Sequence, residues 1–132
     1  MKALFITTRT NETNKHYESF VSLGNEVRLF YYNPKTPIIN GRIRQLEHEV
    51  YESAKEYKPD LIVYVGACHP STPKASWFAR LNDEIAPTVH FCSDAADDPW
   101  WPYLEAYDDA GSFSLQVALD GTQNWPLAKT QL

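Results

Sequence analysis

Residues 42–65 read RIRQLEHEVYESAKEYKPDLIVYV, and this stretch contains the unit on which the predicted fold depends. Apolar side chains recur every three or four positions in its first part, at Ile43, Leu46, Val50, Ala54 and Tyr57. That spacing predicts an amphipathic helix over residues 42–57, which the following Lys-Pro-Asp ends. The continuous apolar run LIVYV at 61–65 is typical of a strand buried on both faces of a sheet. A helix followed directly by a buried strand indicates an α/β protein.

The same alternation extends to both sides of this unit. Apolar runs predict further strands at residues 2–7, 26–32, 88–92 and 113–119, and helical spacing predicts helices that end at Gly24, near Ile85 and at Ala110. Right-handed crossovers are then expected to give a mostly parallel five-stranded sheet with helices on both faces. The predicted fold is a three-layer, doubly wound, Rossmann-like α/β sandwich. We expect residues 1–121 to form this domain, and residues 122–132 a tail or the start of a connection to a second domain.

The charge balance argues against several classes of partner. The chain has 132 residues, enough for one domain with a substantial core, and its formal net charge is -5. An acidic chain is poorly suited to neutralising nucleic-acid phosphates or to binding anionic lipid. No apolar run approaches the roughly 20 residues that span a bilayer, and the N-terminal MKALFITT is typical of a strand rather than a signal peptide. The expected location is the cytoplasm, with no nucleic-acid partner and no membrane span.

The two cysteines are predicted to be structural. Cys68 and Cys92 each close an apolar run, where small buried thiols are common, and two cysteines do not make a disulfide framework. A zinc site drawn from these cysteines with His69 and His90 matches none of the usual ligand spacings. His90 and Cys92 alternate with Phe91, so both are expected on one buried face of the fourth strand. No metal site is predicted.

Three common uses of this fold lack their motifs. After the first strand the chain reads TTRTNETN, not the glycine-rich GxGxxG of dinucleotide-binding proteins. The P-loop pattern, GxxxxGK followed by Ser or Thr, does not occur in the sequence. A response-regulator receiver would need an acidic pair after the first strand and an aspartate after the third, where this chain has Thr8-Arg9 and Cys68-His69. The sequence therefore argues against these three classes.

The carboxyl ends of the strands are the expected ligand edge. In doubly wound sheets, ligands bind there, near the point where the strand order reverses. If the order is 3-2-1-4-5, this point lies between the first and fourth strands. The loop after the fourth strand would then lie beside Thr8 and Arg9.

That loop, residues 93–102 with the sequence SDAADDPWWP, contains the strongest chemical signal in the chain. Asp94, Asp97 and Asp98 could bind a divalent cation or orient sugar hydroxyls. An aspartate ahead of a proline and a helix is also an ordinary N-cap, so the acids have two readings. His69, after the third strand, is similarly either an acid-base group or a solvated loop histidine.

Two adjacent tryptophans follow these acids. Trp100 and Trp101 cannot both face the core, because neighbouring helical residues point about 100° apart. One is expected to fill the core. The other could provide a flat apolar platform for a sugar ring, or seal an interface with another domain.

Residues 90–121, HFCSDAADDPWWPYLEAYDDAGSFSLQVALDG, together with NWPLA at 124–128, resemble a known family. They are similar to the N-terminal part of the glycosyltransferases related to the spore-maturation protein CgeB, which have the two-domain GT-B architecture. The resemblance implies two Rossmann-like domains that face each other across a cleft, the N-terminal one shaping the acceptor side. It also implies a nucleotide-sugar donor held mainly by the C-terminal domain, without a bound metal or other cofactor.

Under this resemblance, the functional residues belong to the carboxyl edge of the sheet. A carboxylate or histidine takes the proton of the acceptor hydroxyl. The candidates for that catalytic role are Asp94, Asp97, Asp98 and His69. The residues expected to contact the acceptor or the neighbouring domain are Thr8, Arg9, Trp100, Trp101 and Tyr103.

The 132 residues contain no counterpart of the family's second domain. We therefore expect a truncated product or one half of a split enzyme, inactive alone, whose partner is a C-terminal donor-binding domain or a separate subunit. An exposed tryptophan surface would also favour a homo-oligomer. A different hypothesis is a stand-alone flavodoxin-like binding or regulatory module without catalysis. A small hydrolase using the acidic cluster is a third, although no activated nucleophile is visible.

Overall fold

The computed structural model describes residues 1–8, 16–32, 40–66, 73–92 and 101–118, and in them strands and helices alternate strictly. The strands are β1 (Lys2–Thr8), β2 (Glu26–Tyr32), β3 (Leu61–Val65), β4 (Thr88–Cys92) and β5 (Leu115–Ala118). The helices are α1 (His16–Ser22), α2 (Asn40–Tyr57), α3 (Ala75–Glu84) and α4 (Trp101–Ala110). The predicted alternation is confirmed.

The strands form one parallel sheet in the order β2-β1-β3-β4-β5. The α/β class and the Rossmann-like sandwich are therefore confirmed. The order 3-2-1-4-5 considered above is wrong, because β3 and not β4 pairs with β1. The observed order is that of flavodoxin-like sheets. It is related to the Rossmann order 3-2-1-4-5-6, because leaving out the outer strand 3 and renumbering the remaining strands along the chain gives 2-1-3-4-5.

The central position of β1 and β3 follows from their composition, because both strands are apolar on both faces. In β1, Leu4 and Ile6 face one layer of helices, while Ala3 and Phe5 face the other, and all four are at most 1% exposed. The edge strand β2, by contrast, carries the charged Arg28. Continuous apolar runs therefore occupy the middle of the sheet.

Helices α2, α3 and α4 cover one face of the sheet. Their buried apolar side chains are Val50, Ala54, Tyr57, Trp77, Phe78, Leu81, Leu104 and Tyr107. At the centre of this layer, the Phe78 ring lies 4.6 Å from that of Tyr64 on β3 and 4.8 Å from that of Phe113, measured between centroids. The apolar face predicted for α2 is confirmed at Val50, Ala54 and Tyr57.

Helix α1 covers the opposite face, over β1. Its Phe20 ring meets Phe5 edge to face, with 5.1 Å between the centroids. Gly24 follows the helix with a φ of 87°, a left-handed conformation that favours glycine. The predicted glycine at the end of this helix is confirmed.

Strand β5 begins at Leu115, two residues later than the predicted start at 113. Phe113 turns into the core, and its ring lies parallel to that of Tyr64 with 6.1 Å between centroids. The Ser114 N–H then donates to the Thr88 carbonyl at 2.8 Å, which brings the chain alongside β4. The strand begins later because the chain bends at Ser114 after placing the Phe113 ring in the core.

Candidate functional site

The strand order places a reversal between β1 and β3. From β1 the chain passes through α1 to β2 on one side, and from β3 it passes through α3 to β4 on the other. Because α1 and α3 lie on opposite faces of the sheet, the two connections diverge at the carboxyl ends of β1 and β3. Ligands of open parallel sheets bind in the crevice at such a reversal. We call this place the β1–β3 crevice.

Thr7 lies at the reversal, in register with Tyr31 of β2 and Val65 of β3. It is 0% exposed, and its Oγ1 has no hydrogen-bond partner among the described residues. Thr88 is equally buried, but its Oγ1 donates to the Ala86 carbonyl at 3.1 Å. A buried hydroxyl without a partner costs about 1–3 kcal/mol. Such a group calls for an explanation, and a ligand at the reversal would supply one.

Two tyrosines lie next to Thr7 on the α1 face of the sheet. Tyr31 is its neighbour on β2, and the Tyr31 side chain makes a hydrogen bond with Tyr17 in the first turn of α1. That hydrogen bond raises the pKa of the Tyr17 phenol. The contact joins the start of α1 to the end of β2, while Tyr31 stays 43% exposed. Hydroxyl groups therefore border this side of the crevice.

A buried histidine on β4 fixes the end of β3. His90 is 0% exposed, and its Nε2 lies 2.8 Å from the carbonyl oxygen of Gly66, the residue after β3. Its Nδ1 lies 2.9 Å from Oε1 of Gln116 on β5. Because a carbonyl oxygen only accepts hydrogen bonds, Nε2 carries the hydrogen and donates it to Gly66. The Gly66 N–H donates in turn to the Phe91 carbonyl at 3.2 Å.

Aromatic rings enclose the His90 imidazole. Their centroids lie 4.8 Å (Phe113), 4.9 Å (Tyr64) and 5.7 Å (Tyr107) from its own. The prediction that His90 and Cys92 share a buried strand face is confirmed, since both are 0% exposed. Sequence reasoning missed Gln116. The available signal was a single glutamine within the apolar run FSLQVAL, which indicates a buried polar group with a partner.

Most of the residues predicted for the site lie outside the described part of the chain. These are Arg9, His69, Asp94, Asp97, Asp98 and Trp100. The backbone of the others is described: Thr8 ends β1, Trp101 begins α4, and Tyr103 lies in the first turn of α4. Their roles stay predictions.

The acidic loop begins farther from β1 than the order 3-2-1-4-5 implied. The fourth strand was expected beside the first, but β3 lies between β1 and β4. Since neighbouring strands are about 4.8 Å apart, the end of β4 at Cys92 is roughly 10 Å from the end of β1. The described residues at the reversal are therefore Thr7, Val65 and Gly66.

Within the described ranges, no three His, Cys, Asp or Glu residues converge in the way that metal ligands do. The Cys92 thiol is buried in the core, as predicted for a structural cysteine. None of the described helices has both the length and the apolar character needed to cross a membrane.

No family model, curated protein or solved structure matches this chain. The likeness to the CgeB-related glycosyltransferases therefore rests on the residues quoted for it. The class that the described residues define is an α/β domain with a flavodoxin-like strand order, whose direction of connection reverses between β1 and β3.

Proposed function

We propose that this chain is the acceptor-side domain of a GT-B glycosyltransferase. Two features support the proposal: a Rossmann-like parallel sheet, and the resemblance of residues 90–121 and 124–128 to the CgeB-related family. The observation that carries it is the buried Thr7 hydroxyl at the reversal, which has no partner among the described residues. A hydroxyl both donates and accepts hydrogen bonds, so it suits the hydroxyl groups of a sugar or alcohol acceptor.

The proposed reaction transfers a sugar from a nucleotide-sugar donor to an acceptor hydroxyl. The acceptor oxygen bonds to the anomeric carbon of the donor sugar, the bond from that carbon to the diphosphate breaks, and the nucleoside diphosphate leaves. A base takes the acceptor proton. The candidates for this base are Asp94, Asp97, Asp98 and His69.

The other predicted residues have binding roles in this proposal. Thr8 and Arg9 follow Thr7 in the chain and are proposed contacts of the acceptor. Trp100, Trp101 and Tyr103 are proposed to shape the cleft or the junction with a donor-binding domain or subunit, without which this chain is inactive. The proposed location is the cytoplasm, and association between copies through exposed aromatic surface is part of the proposal.

A second candidate is a flavodoxin-like binding or regulatory module without catalysis. The order β2-β1-β3-β4-β5 favours it, because flavodoxin-like domains share this order and bind their ligand at the same reversal. Such a module would take a small polar ligand in the β1–β3 crevice and would need no donor-binding partner.

Ligand binding at Thr7 tests both candidates. Saturation-transfer NMR would use neutral sugars (glucose, galactose and mannose) in one sample and FMN with UDP in another. For the transferase we expect sugar signals that disappear in Thr7→Val and persist in Thr88→Val, since the Thr88 hydroxyl is already bonded to a carbonyl. Signals from FMN or UDP alone would favour the binding module. Sugar signals that survive in Thr7→Val would contradict the assignment of the site.

Turnover separates a transferase from a module that merely binds sugar. The chain would be mixed with the donor-binding half of a CgeB-related enzyme, and release of UDP from UDP-glucose measured with and without an acceptor sugar. Acceptor-dependent release that falls in Thr7→Val supports the transferase. Sugar binding without release from any nucleotide sugar supports the module.

A further inference from the structure

The Gly66 peptide groups are held from the β4 side. The Gly66 N–H donates to the Phe91 carbonyl at 3.2 Å, and the Gly66 carbonyl accepts from His90 Nε2 at 2.8 Å. Both groups therefore point toward β4 and away from β1. The Gly66 carbonyl is therefore not available as a hydrogen-bond acceptor on the β1 side.

The histidine that sets this direction is itself fixed. Gln116 lies 2.9 Å from Nδ1 of His90, on the far side of β4 from β3. The carboxamide can turn its oxygen or its nitrogen toward Nδ1, so it supports the ring whether or not Nδ1 carries a hydrogen. An apolar ring would fill the same space without removing two polar nitrogens from water. The two hydrogen bonds therefore indicate a role beyond filling the core.

We propose that His90, supported by Gln116, is a positioning residue that turns the Gly66 carbonyl out of the β1–β3 crevice. The crevice then lacks this carbonyl as a hydrogen-bond acceptor and keeps the Thr7 hydroxyl, which can donate a hydrogen bond. That combination favours a ligand oxygen that accepts hydrogen bonds, as in a hydroxyl or phosphate group, over a ligand N–H. The inference rests on the proposed ligand site and deepens it by naming the ligand group.

Two variants separate positioning from packing. His90→Phe keeps a ring among its aromatic neighbours and removes both hydrogen bonds, whereas Phe113→Leu removes a ring 4.8 Å from the imidazole and leaves both bonds in place. We expect His90→Phe to speed amide hydrogen exchange at Gly66 about tenfold relative to Val63. The Gly66 N–H keeps its bond to the Phe91 carbonyl, but the end of β3 opens more easily once the bond from His90 to the Gly66 carbonyl is lost. Phe113→Leu should change exchange at Gly66 and Val63 by the same factor.

Inorganic phosphate and methylguanidinium test the preference for a ligand oxygen. In wild-type protein we expect phosphate, and not methylguanidinium, to cause saturable amide shifts at Thr7 and Gly66. Phosphate affinity should fall about tenfold in His90→Phe and stay unchanged in Phe113→Leu. Equal phosphate affinity in His90→Phe, unchanged Gly66 exchange in that variant, or shifts with methylguanidinium alone would overturn the inference.

Failure of this inference can be told apart from failure of the proposed function. Sugar binding that depends on Thr7 but is unchanged in His90→Phe would overturn the positioning role of His90 and leave the proposed function standing. If no probe binds near Thr7, both the proposed function and the ligand preference are wrong. Faster Gly66 exchange in His90→Phe would then still support the positioning of Gly66.

Discussion

Thr7→Val is expected to stabilise the protein, although most substitutions at fully buried positions destabilise. Thr7 is 0% exposed, and its Oγ1 has no partner among the described residues. A buried hydroxyl without a hydrogen bond costs about 1–3 kcal/mol, and valine replaces it with a methyl group of similar size. We therefore expect the free energy of unfolding to rise by about 1 kcal/mol or more. For a domain of this size that corresponds to an increase in Tm of roughly 3–5 °C.

Thr88→Val is the matched control for this experiment. Thr88 is also 0% exposed on a strand, but its hydroxyl donates to the Ala86 carbonyl at 3.1 Å. Its loss should lower the free energy of unfolding by about 1 kcal/mol, so the two variants should differ by about 2 kcal/mol in urea titrations. If Thr7→Val is destabilised as much as Thr88→Val, the Thr7 hydroxyl has a protein partner. The argument for a ligand at that position would then lose its basis.

Two further predictions concern the core and the surface of the α2–α3 layer. Phe78→Ala removes a fully buried ring from the aromatic cluster and should lower the free energy of unfolding by about 3–5 kcal/mol in urea titrations; a loss below about 1 kcal/mol would contradict the described packing. The Tyr51 hydroxyl donates a hydrogen bond to the Glu84 carboxyl at 2.6 Å and lowers the pKa of that carboxyl. The bond therefore stabilises the folded protein at pH values above the ordinary carboxyl pKa, and this stabilisation is lost as the pH falls through the lowered pKa. Tyr51→Phe should therefore lower Tm at about pH 7 and change it less at about pH 2, and an equal change at both would refute the pairing.

Much of the fold could be predicted because hydrophobic spacing distinguishes helices from strands along most of this chain. The run of apolar residues in β3 and the helical spacing of Val50, Ala54 and Tyr57 each have one reasonable interpretation. The strand order was harder, since periodicity does not say which strands are neighbours. The composition did contain a clue: β1 and β3 are apolar on both faces, while β2 carries Arg28 and β5 carries Gln116. Strands buried on both faces belong at the centre of the sheet.

The site was less predictable because its main features are contacts between distant parts of the chain. Whether the Thr7 hydroxyl finds a partner depends on what packs over the end of β1, which spacing does not reveal. The pairing of His90 with Gln116 depends on the register of β4 and β5, in which these two residues are direct neighbours. The acids Asp94, Asp97 and Asp98 carry chemistry that is visible in the sequence, but they lie outside the described residues.

Residue-resolved amide shift mapping during a sugar titration tests directly whether the β1–β3 crevice is the ligand site. Glucose, galactose and mannose would be added in turn to labelled protein. We expect the largest saturable shifts at Thr7, Thr8 and Gly66, and we expect these shifts to vanish in Thr7→Val. Two results would contradict this assignment of the ligand site. One is shifts confined to the exposed apolar residues Val21, in α1, and Leu23, just after it. The other is shifts that are unchanged in Thr7→Val.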